Sequence, residues 1–192
     1  MKKNIVLMAL LVVLGACVPK TSRVGVATDE PFSSTETSSK DLLTVTEKMA
    51  ASLLELPQIN NANNPVKIAF VDVKNETNEI INKNLFIEKM RTMLMKNAKG
   101  KMVFLDREIL DEINTEREDK RAGEYTHSQL AKKLGADYFL TGKLSSIDKV
   151  GSGKRSTYTR YAFRLTDTET TAIIWEDDYE VKKVGSYGLY DR

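Results

Sequence analysis

The sequence contains very little of the material from which metal and catalytic centres are usually built. It has one cysteine, Cys17, and one histidine, His127, in 192 residues. Zinc sites of the Cys/His kind need three or four such ligands, so that class of site is excluded. His127 falls within a Thr126–Gln129 pattern of the S/T-x-x-E/Q type, which predicts an exposed first turn of a helix. We therefore expect no catalytic, cofactor-binding or metal-binding residues and no enzymatic activity.

A hydrophobic run long enough to cross a membrane is also missing. The apolar run at residues 5–14 has ten residues, whereas a spanning helix needs about 20. Two lysines precede it and Leu-Gly-Ala-Cys ends it at Cys17, a pattern that predicts a secretory signal removed after residue 16. The same four residues resemble the lipobox of bacterial lipoproteins, in which the cysteine is lipidated; the alternative is an ordinary signal peptide ending near a cysteine. By resemblance to Gram-negative lipoproteins, Val18 after the cysteine implies transport to the outer membrane, with the domain facing the periplasm.

The charges of the mature chain balance. Removing the signal removes two lysines from the 29 basic residues and leaves 27 basic against 27 acidic residues. A balanced surface attracts phosphate backbones poorly, so we expect no nucleic-acid partner. With Cys17 lipidated, no disulfide can form within the chain, and the fold has to be held by its core.

Composition divides the mature chain into two parts. Residues 17–40 are rich in Ser and Thr and lack hydrophobic periodicity, which predicts a lipidated N-terminus and a flexible linker. Residues 41–192 predict one globular domain, which we expect to be a monomer. Their pattern is that of an α/β fold: a mixed sheet of about four to five strands with flanking helices.

The predicted elements alternate before they end in a meander. A helix begins at a capping box, Ser38-x-x-Asp41, and is stopped by Pro57. The remaining elements are a strand over 66–73 with a polar turn at 74–78, a helix over 82–96, a strand over 102–105, two helices after Asp106, and three strands over 136–147, 157–165 and 172–184.

Three stretches together resemble the LpoB family of outer-membrane lipoproteins, which activate penicillin-binding proteins. They are IAFVDV at residues 68–73 followed by NET, LGADYFLTG at 134–142, and DTET at 167–170 followed by IIW at 173–175. The resemblance implies a domain similar to the N-terminal domain of TolB. It also implies a non-enzymatic activator that reaches from the outer membrane to a bifunctional peptidoglycan synthase. The linker here is short beside the long, Pro-rich linkers of that family.

The C-terminal tail is the stretch most typical of a protein interface. It places Tyr187, Tyr190 and Arg192 among glycines, and Tyr and Arg are the residues that interfaces favour. The alternative is a tail that folds back over the sheet edge. Two other candidates have simpler explanations: residues 151–154 (GSGK) predict a hairpin turn rather than a phosphate loop, and Trp175 predicts core packing rather than a sugar platform. The acidic run at 176–178 predicts a charged edge strand rather than a cation site.

The sequence is also compatible with two other functions. A curli-type secretion or envelope-assembly lipoprotein with a TolB-like domain is the first alternative, although the chain is short of the alternating segments that a membrane barrel needs. A periplasmic hydrolase that uses carboxylates is the second, and it lacks a convincing acid–base pair.

Overall fold

The computed structural model describes residues 21–29, 34–106 and 135–186. Within these ranges it contains three helices and five strands. They are α1 (Ser39–Leu54), α2 (Pro57–Asn60), β1 (Val66–Glu76), α3 (Asn84–Asn97), β2 (Met102–Phe104), β3 (Tyr138–Gly151), β4 (Lys154–Asp167) and β5 (Ile173–Ser186). The two helices predicted after Asp106 lie outside the described residues.

The five strands form one mixed sheet in the order β2-β1-β3-β4-β5. The pairs β2–β1 and β1–β3 are parallel, and β3–β4 and β4–β5 are antiparallel. This confirms the predicted mixed α/β sheet and the C-terminal meander. The turn between β3 and β4 is Ser152-Gly153, where both residues have positive φ angles of 52° and 70°. Such a turn matches the twist of the strands it joins, and the hairpin predicted at 151–154 is therefore confirmed.

The first strand is longer than its apolar pattern predicts. β1 continues through Glu76: after a bulge between Phe70 and Val73, its register with β3 resumes with Val73 opposite Gly142 and runs on to Glu76 opposite Ser145. The polar turn predicted at 74–78 is therefore wrong for residues 74–76. The backbone pairing of a strand does not require apolar side chains, so a polar sequence can extend it once its neighbour is in place.

Two helices cover one face of the sheet. Ser38 caps α1, its side chain accepts from the backbone N–H of Asp41, and the capping box predicted there is confirmed. Pro57 does not stop α1, which already ends at Leu54; it is the first residue of α2, where the missing N–H costs nothing. The buried core joins helix residues to the covered sheet face; its largest buried side chains include Leu53, Phe86, Met90, Leu140, Leu144, Tyr161 and Leu165.

A glycine in β3 lets two buried side chains of the neighbouring strands pack directly against the β3 backbone. A Cβ atom at Gly142 would lie 2.8 Å from Cε1 of Phe163 and 3.0 Å from Cγ2 of Val73. A Cβ contact of 2.8 Å essentially never occurs and one of 3.0 Å is unusually tight, so the position favours glycine for close approach rather than for a turn.

The end of the predicted linker contacts the domain. Oγ1 of Thr35 lies 2.9 Å from Oγ1 of Thr157 in β4, and the Thr35 side chain is buried. Residues at the end of the stretch predicted to be a flexible linker are thus fixed to the sheet. The division of the chain into signal peptide, linker and domain stays a prediction. None of the described helices is both long enough and apolar enough to cross a membrane.

Candidate functional site

The face of the sheet opposite α1 and α3 carries a shallow groove. We call it the open face; its volume is about 610 Å³, and residues of β1, β3, β4 and β5 line it. The alternation along β4 places Arg160, Ala162 and Arg164 here, because the intervening residues point into the core. The open face is consequently polar, and it is the reverse side of the sheet face that packs against the core.

Ion pairs cross the strands of the open face. Nζ of Lys143 lies 2.6 Å from Oε2 of Glu76, and Nη2 of Arg164 lies 3.2 Å from Oε1 of Glu176. Further pairs join Lys83 to Asp72 at 2.7 Å and Arg160 to Asp178. Exposed pairs of this kind contribute little stability, but they neutralise the charges of the face within the molecule.

The carboxylates of the groove are poorly suited to acid–base work. The hydrogen bond from Lys83 lowers the pKa of Asp72 below its ordinary value. Glu176, the other carboxylate in the groove lining, is paired with Arg164. A general base for work near neutral pH needs a raised pKa, so Asp72 is a poor candidate for one.

One end of the sheet carries the most exposed apolar surface of the long strands. We call this end the sheet tip: residues 147–158 of β3, β4 and their turn, with residues 182–186 of β5. Ile147, Val150 and Val184 are 59%, 64% and 65% exposed there. Aliphatic side chains among polar neighbours are typical of a protein-binding surface.

At the sheet tip, the carboxylate of Asp148 accepts hydrogen bonds from three side chains. Oδ1 of Asp148 accepts a hydrogen bond from the Thr157 hydroxyl at 2.6 Å and one from Nη2 of Arg155 at 3.3 Å. Its Oδ2 accepts from Nδ2 of Asn78 at 2.8 Å. The bonds from Thr157 and Asn78 lower the pKa of Asp148 below its ordinary value. Asp148 thereby joins the hairpin to the loop after β1, whose Ile80 is fully exposed.

A cleft of about 670 Å³ lies beside the sheet tip. Its apolar wall includes Leu42, Ile81 and Phe86, and Arg155 reaches it from β4. The opposite wall belongs to the segment before α1, residues 34–38, which we call the strap.

Hydrogen bonds fix the strap to the sheet. The hydroxyl of Thr37 lies 2.9 Å from that of Tyr161, and the Thr37 backbone N–H donates to Oε2 of Glu79 at 2.8 Å. Lys183 of β5 donates to the backbone oxygen of Glu36 at 2.7 Å. Tyr161 is fully buried, and its burial raises the pKa of the phenol, so the hydroxyl stays protonated as a hydrogen-bonding group.

The residues predicted to bind partners or lipid lie outside the described residues. These are Cys17, Tyr187, Tyr190 and Arg192, and His127 lies outside them as well. The last described residue, Ser186, is paired with Lys154 at the turn of the β3–β4 hairpin. The C-terminal tail therefore continues from the sheet tip.

The core prediction for Trp175 is confirmed. It is 8% exposed, and its Nε1 donates to Oγ of Ser52 at 3.0 Å, joining β5 to α1. The acidic run after it lies on an edge strand of the described sheet, as predicted, and two of its members bind the arginines of β4. Among the described residues, no group of three or more His, Cys, Asp or Glu could hold a metal ion.

Sequence reasoning missed the strap and the Asp148 cluster. Thr35 and Thr37 lie in a Ser/Thr-rich stretch that reads as linker, and only their partners 122 and 124 residues away show that they are fixed. For Asp148, the one usable signal is its place directly opposite Thr157 in the hairpin register.

Comparison with known proteins gives the assignment. A family model described as "Peptidoglycan-synthase activator LpoB" matches residues 41–181. The chain belongs to the LpoB family. The match spans the folded part from the first turn of α1 to the last third of β5, including the open face and most of the sheet tip. The LpoB family consists of activators of peptidoglycan synthases by that description.

Solved structures of LpoB are similar to this chain at low identity. The LpoB C-terminal domain of Salmonella enterica is 17% identical, covers 73% of this chain and 98% of its own, and gives a TM-score of 0.45. That of Escherichia coli is 18% identical with the same coverage and a TM-score of 0.44. Lipoprotein GNA1162 of Neisseria meningitidis is 13% identical, covers 62% of this chain and 84% of its own, and gives 0.41. No curated protein matches the chain.

Proposed function

We propose that this protein is a lipoprotein of the outer membrane that binds and activates a bifunctional class A penicillin-binding protein, and so stimulates peptidoglycan synthesis. The observation that carries the proposal is the LpoB family match over residues 41–181. The protein acts by contact and not by chemistry of its own. Activation by contact requires that the domain bind the active conformation of the synthase more tightly than the inactive one.

Lipidation of Cys17 supplies the anchor in this proposal. Each buried methylene of an acyl chain contributes about 0.8 kcal/mol, and one chain binds only marginally. A cysteine that carries several chains holds the protein at the membrane and leaves the domain free in the periplasm.

The sheet tip is the proposed docking surface. Its exposed aliphatic side chains, Ile147, Val150 and Val184, can form the apolar centre of an interface. The tail with Tyr187, Tyr190 and Arg192 continues from this end and adds the residue types that dominate binding energy at interfaces. The charge-neutralised open face is the poorer candidate, because its charged groups already bind each other.

The proposal is tested by affinity purification from membranes with the mature lipoprotein as bait. We expect recovery of a bifunctional penicillin-binding protein, and we expect the purified pair to polymerise and cross-link glycan faster than the synthase alone. Recovery of secretion components without any synthase would contradict the proposal, as would turnover of a cell-wall substrate by the lipoprotein alone.

Variants of the sheet tip locate the docking surface. Val150→Asp with Val184→Asp should weaken synthase binding at least tenfold, because a charge in the apolar centre of an interface remains unpaired after binding. Truncation after Ser186 should also weaken it, because the truncation removes Tyr187, Tyr190 and Arg192. Val71→Asp is the matched control, since Val71 is 57% exposed in the middle of β1. Equal binding by the double variant and the control would exclude the sheet tip.

A further inference from the structure

We propose that the chain before α1 holds a reserve of tether length: residues 26–29 and 34–38 contact the domain at rest and are released when the anchor and the bound partner are pulled apart. This inference rests on the proposed function, because it assumes a lipid anchor at Cys17. It addresses the short linker, whose reach depends on where the chain first becomes fixed to the domain.

Two sets of contacts hold these residues against the domain. The outer set, which is nearer to Cys17 along the chain, is weak. The outer contact joins residues 26–29 to the start of α1: the Ser39 hydroxyl donates to the backbone oxygen of Val26 at 2.8 Å, and Lys40 binds Asp29 at 2.8 Å. The Lys40 and Asp29 side chains are 45% and 80% exposed. Ion pairs this exposed give little stability, so the outer contact should open first.

The inner contact is the strap, and it is held by polar groups alone. Its sequence, STETS at residues 34–38, contains no apolar side chain, and the hydrophobic core begins at Val45 in α1. Opening the strap breaks four hydrogen bonds, to Thr157, Tyr161, Glu79 and Lys183, and water can replace each of them. A segment without apolar burial can therefore open locally while the core stays folded.

Two buried polar atoms beside the strap favour its opening. Oε1 of Glu79 and Nε of Arg155 have no hydrogen-bond partner among the residues that the structure describes, and both residues line the cleft whose wall the strap forms. Buried polar groups without partners lose hydration without compensation. Lifting the strap removes Thr37 from the Glu79 carboxylate and admits water to this wall of the cleft.

The change in reach is large. Val26 is nine residues along the chain from Cys17, so with both contacts closed the tether extends at most about 30 Å. With both contacts open the first fixed residue is Ser39, 22 residues from the anchor, and the limit rises to about 75 Å. The tether would thus more than double its reach without unfolding the domain, and its length would be set by the separation of anchor and partner.

Single-molecule pulling tests the reserve directly and without a synthase. Cys17 of the unlipidated mature chain is its only thiol and accepts one handle, and Ser152→Cys in the exposed β3–β4 turn accepts the other. We expect reversible low-force extensions that add up to about 45 Å of chain contour before the domain unfolds. One event that coincides with domain unfolding would overturn the proposal, and so would a segment already extended at zero force.

Single and double substitutions show which contact opens in each extension step of the pulling experiment. Ser39→Ala should lower the force of the first extension, and Thr35→Val with Thr37→Val should lower that of the second. Thr44→Val is the control, because the Thr44 hydroxyl bonds only within α1, to the Lys40 backbone oxygen at 2.8 Å. Equal forces in the strap variant and the control would show that the strap does not carry the load.

A disulfide across the strap tests the reserve in the envelope. The hydroxyl oxygens of Thr35 and Thr157 are 2.9 Å apart, so Thr35→Cys with Thr157→Cys should form a bond that keeps the strap closed. The locked chain is first fixed at residue 35, 18 residues from Cys17, so its tether extends at most about 60 Å instead of about 75 Å. We expect the oxidised lipoprotein to stimulate peptidoglycan synthesis in cells less than the reduced one does, and four Gly/Ser residues inserted before residue 21 to restore the stimulation. Equal stimulation by the locked and the reduced lipoprotein would overturn the strap's part in the reserve.

A soluble form separates reach from docking. The locked mature chain with Cys17→Ser should bind the synthase with wild-type affinity. Without a lipid anchor the protein diffuses freely, so the length of its tether no longer limits contact with the synthase. Loss of binding in this form would mean that the strap opens for docking, which would also overturn the reserve. If the unlocked protein binds no synthase, the proposed function fails, while the pulling experiment still decides whether the segment is released.

Discussion

Replacement of Gly142 by alanine should destabilise the domain although it adds only one methyl group. The new Cβ would lie 2.8 Å and 3.0 Å from two ring carbons of Phe163 and 3.0 Å from Cγ2 of Val73. Phe163 is 1% exposed and Val73 is fully buried, so neither side chain has free space into which to move. The sheet or the core must shift instead.

The magnitude follows from two opposing effects. Overpacking of a filled core typically costs about 1–3 kcal/mol. Alanine in a strand recovers about 0.5–1 kcal/mol relative to glycine through the lower entropy of the unfolded chain. The first effect is larger, and we expect Gly142→Ala to lower the free energy of unfolding by about 1–2 kcal/mol.

Urea unfolding of the mature chain measures the change, with Gly151→Ala as the control. A Cβ atom at Gly151 meets nothing within 4 Å, so that variant should be at least as stable as the wild type. Phe163→Leu in the Gly142→Ala background removes the clashing ring carbons, and the two substitutions should couple favourably by about 1 kcal/mol or more. A Gly142→Ala protein as stable as the Gly151→Ala protein would refute the packing argument.

Two smaller predictions concern hydrogen bonds of side chains. Ser38→Ala removes the cap of α1 and should cost about 1 kcal/mol in urea unfolding, whereas Ser39→Ala should change stability by less than about 0.5 kcal/mol; equal losses would contradict the capping role. Asp148 has a pKa below its ordinary 3.8 in the folded protein, so its bonds stabilise the fold above that value and this stabilisation is lost as the pH falls through the folded pKa. Asp148→Asn should therefore be less stable than wild type at pH 7, and the two stability curves should converge on acidification; a constant gap from pH 7 to pH 2 would exclude the mechanism.

The sequence patterns predict the fold well where burial is periodic. The alternation from Thr157 to Leu165 gives the inward face of β4 correctly, and the spacing of Phe86, Met90 and Leu94 gives the buried side of α3. In both elements one face is buried along its whole length, so the side-chain pattern has one solution.

The patterns fail where distant polar groups determine the structure. The end of β1 at Glu76 depends on its pairing with β3, and the strap depends on Thr157 and Tyr161, which lie more than 120 residues away. Polar segments carry no hydrophobic period, so neither feature leaves a local signal. The docking residues of the candidate site are hard to predict for a related reason: a contact surface has no fixed spacing of reactive groups, whereas an acid–base pair or a metal site has one.

The length of the β3–β4 hairpin has a mechanical consequence. Each of its strands has 14 residues and spans about 45 Å, whereas α1 and α3 span about 24 Å and 21 Å. The hairpin thus extends beyond the helices as a stiff arm whose outer end is held by β-ladder bonds and the Asp148 cluster. A coil of the same reach would lose conformational entropy each time it engaged a binding partner, but an arm that is already ordered does not.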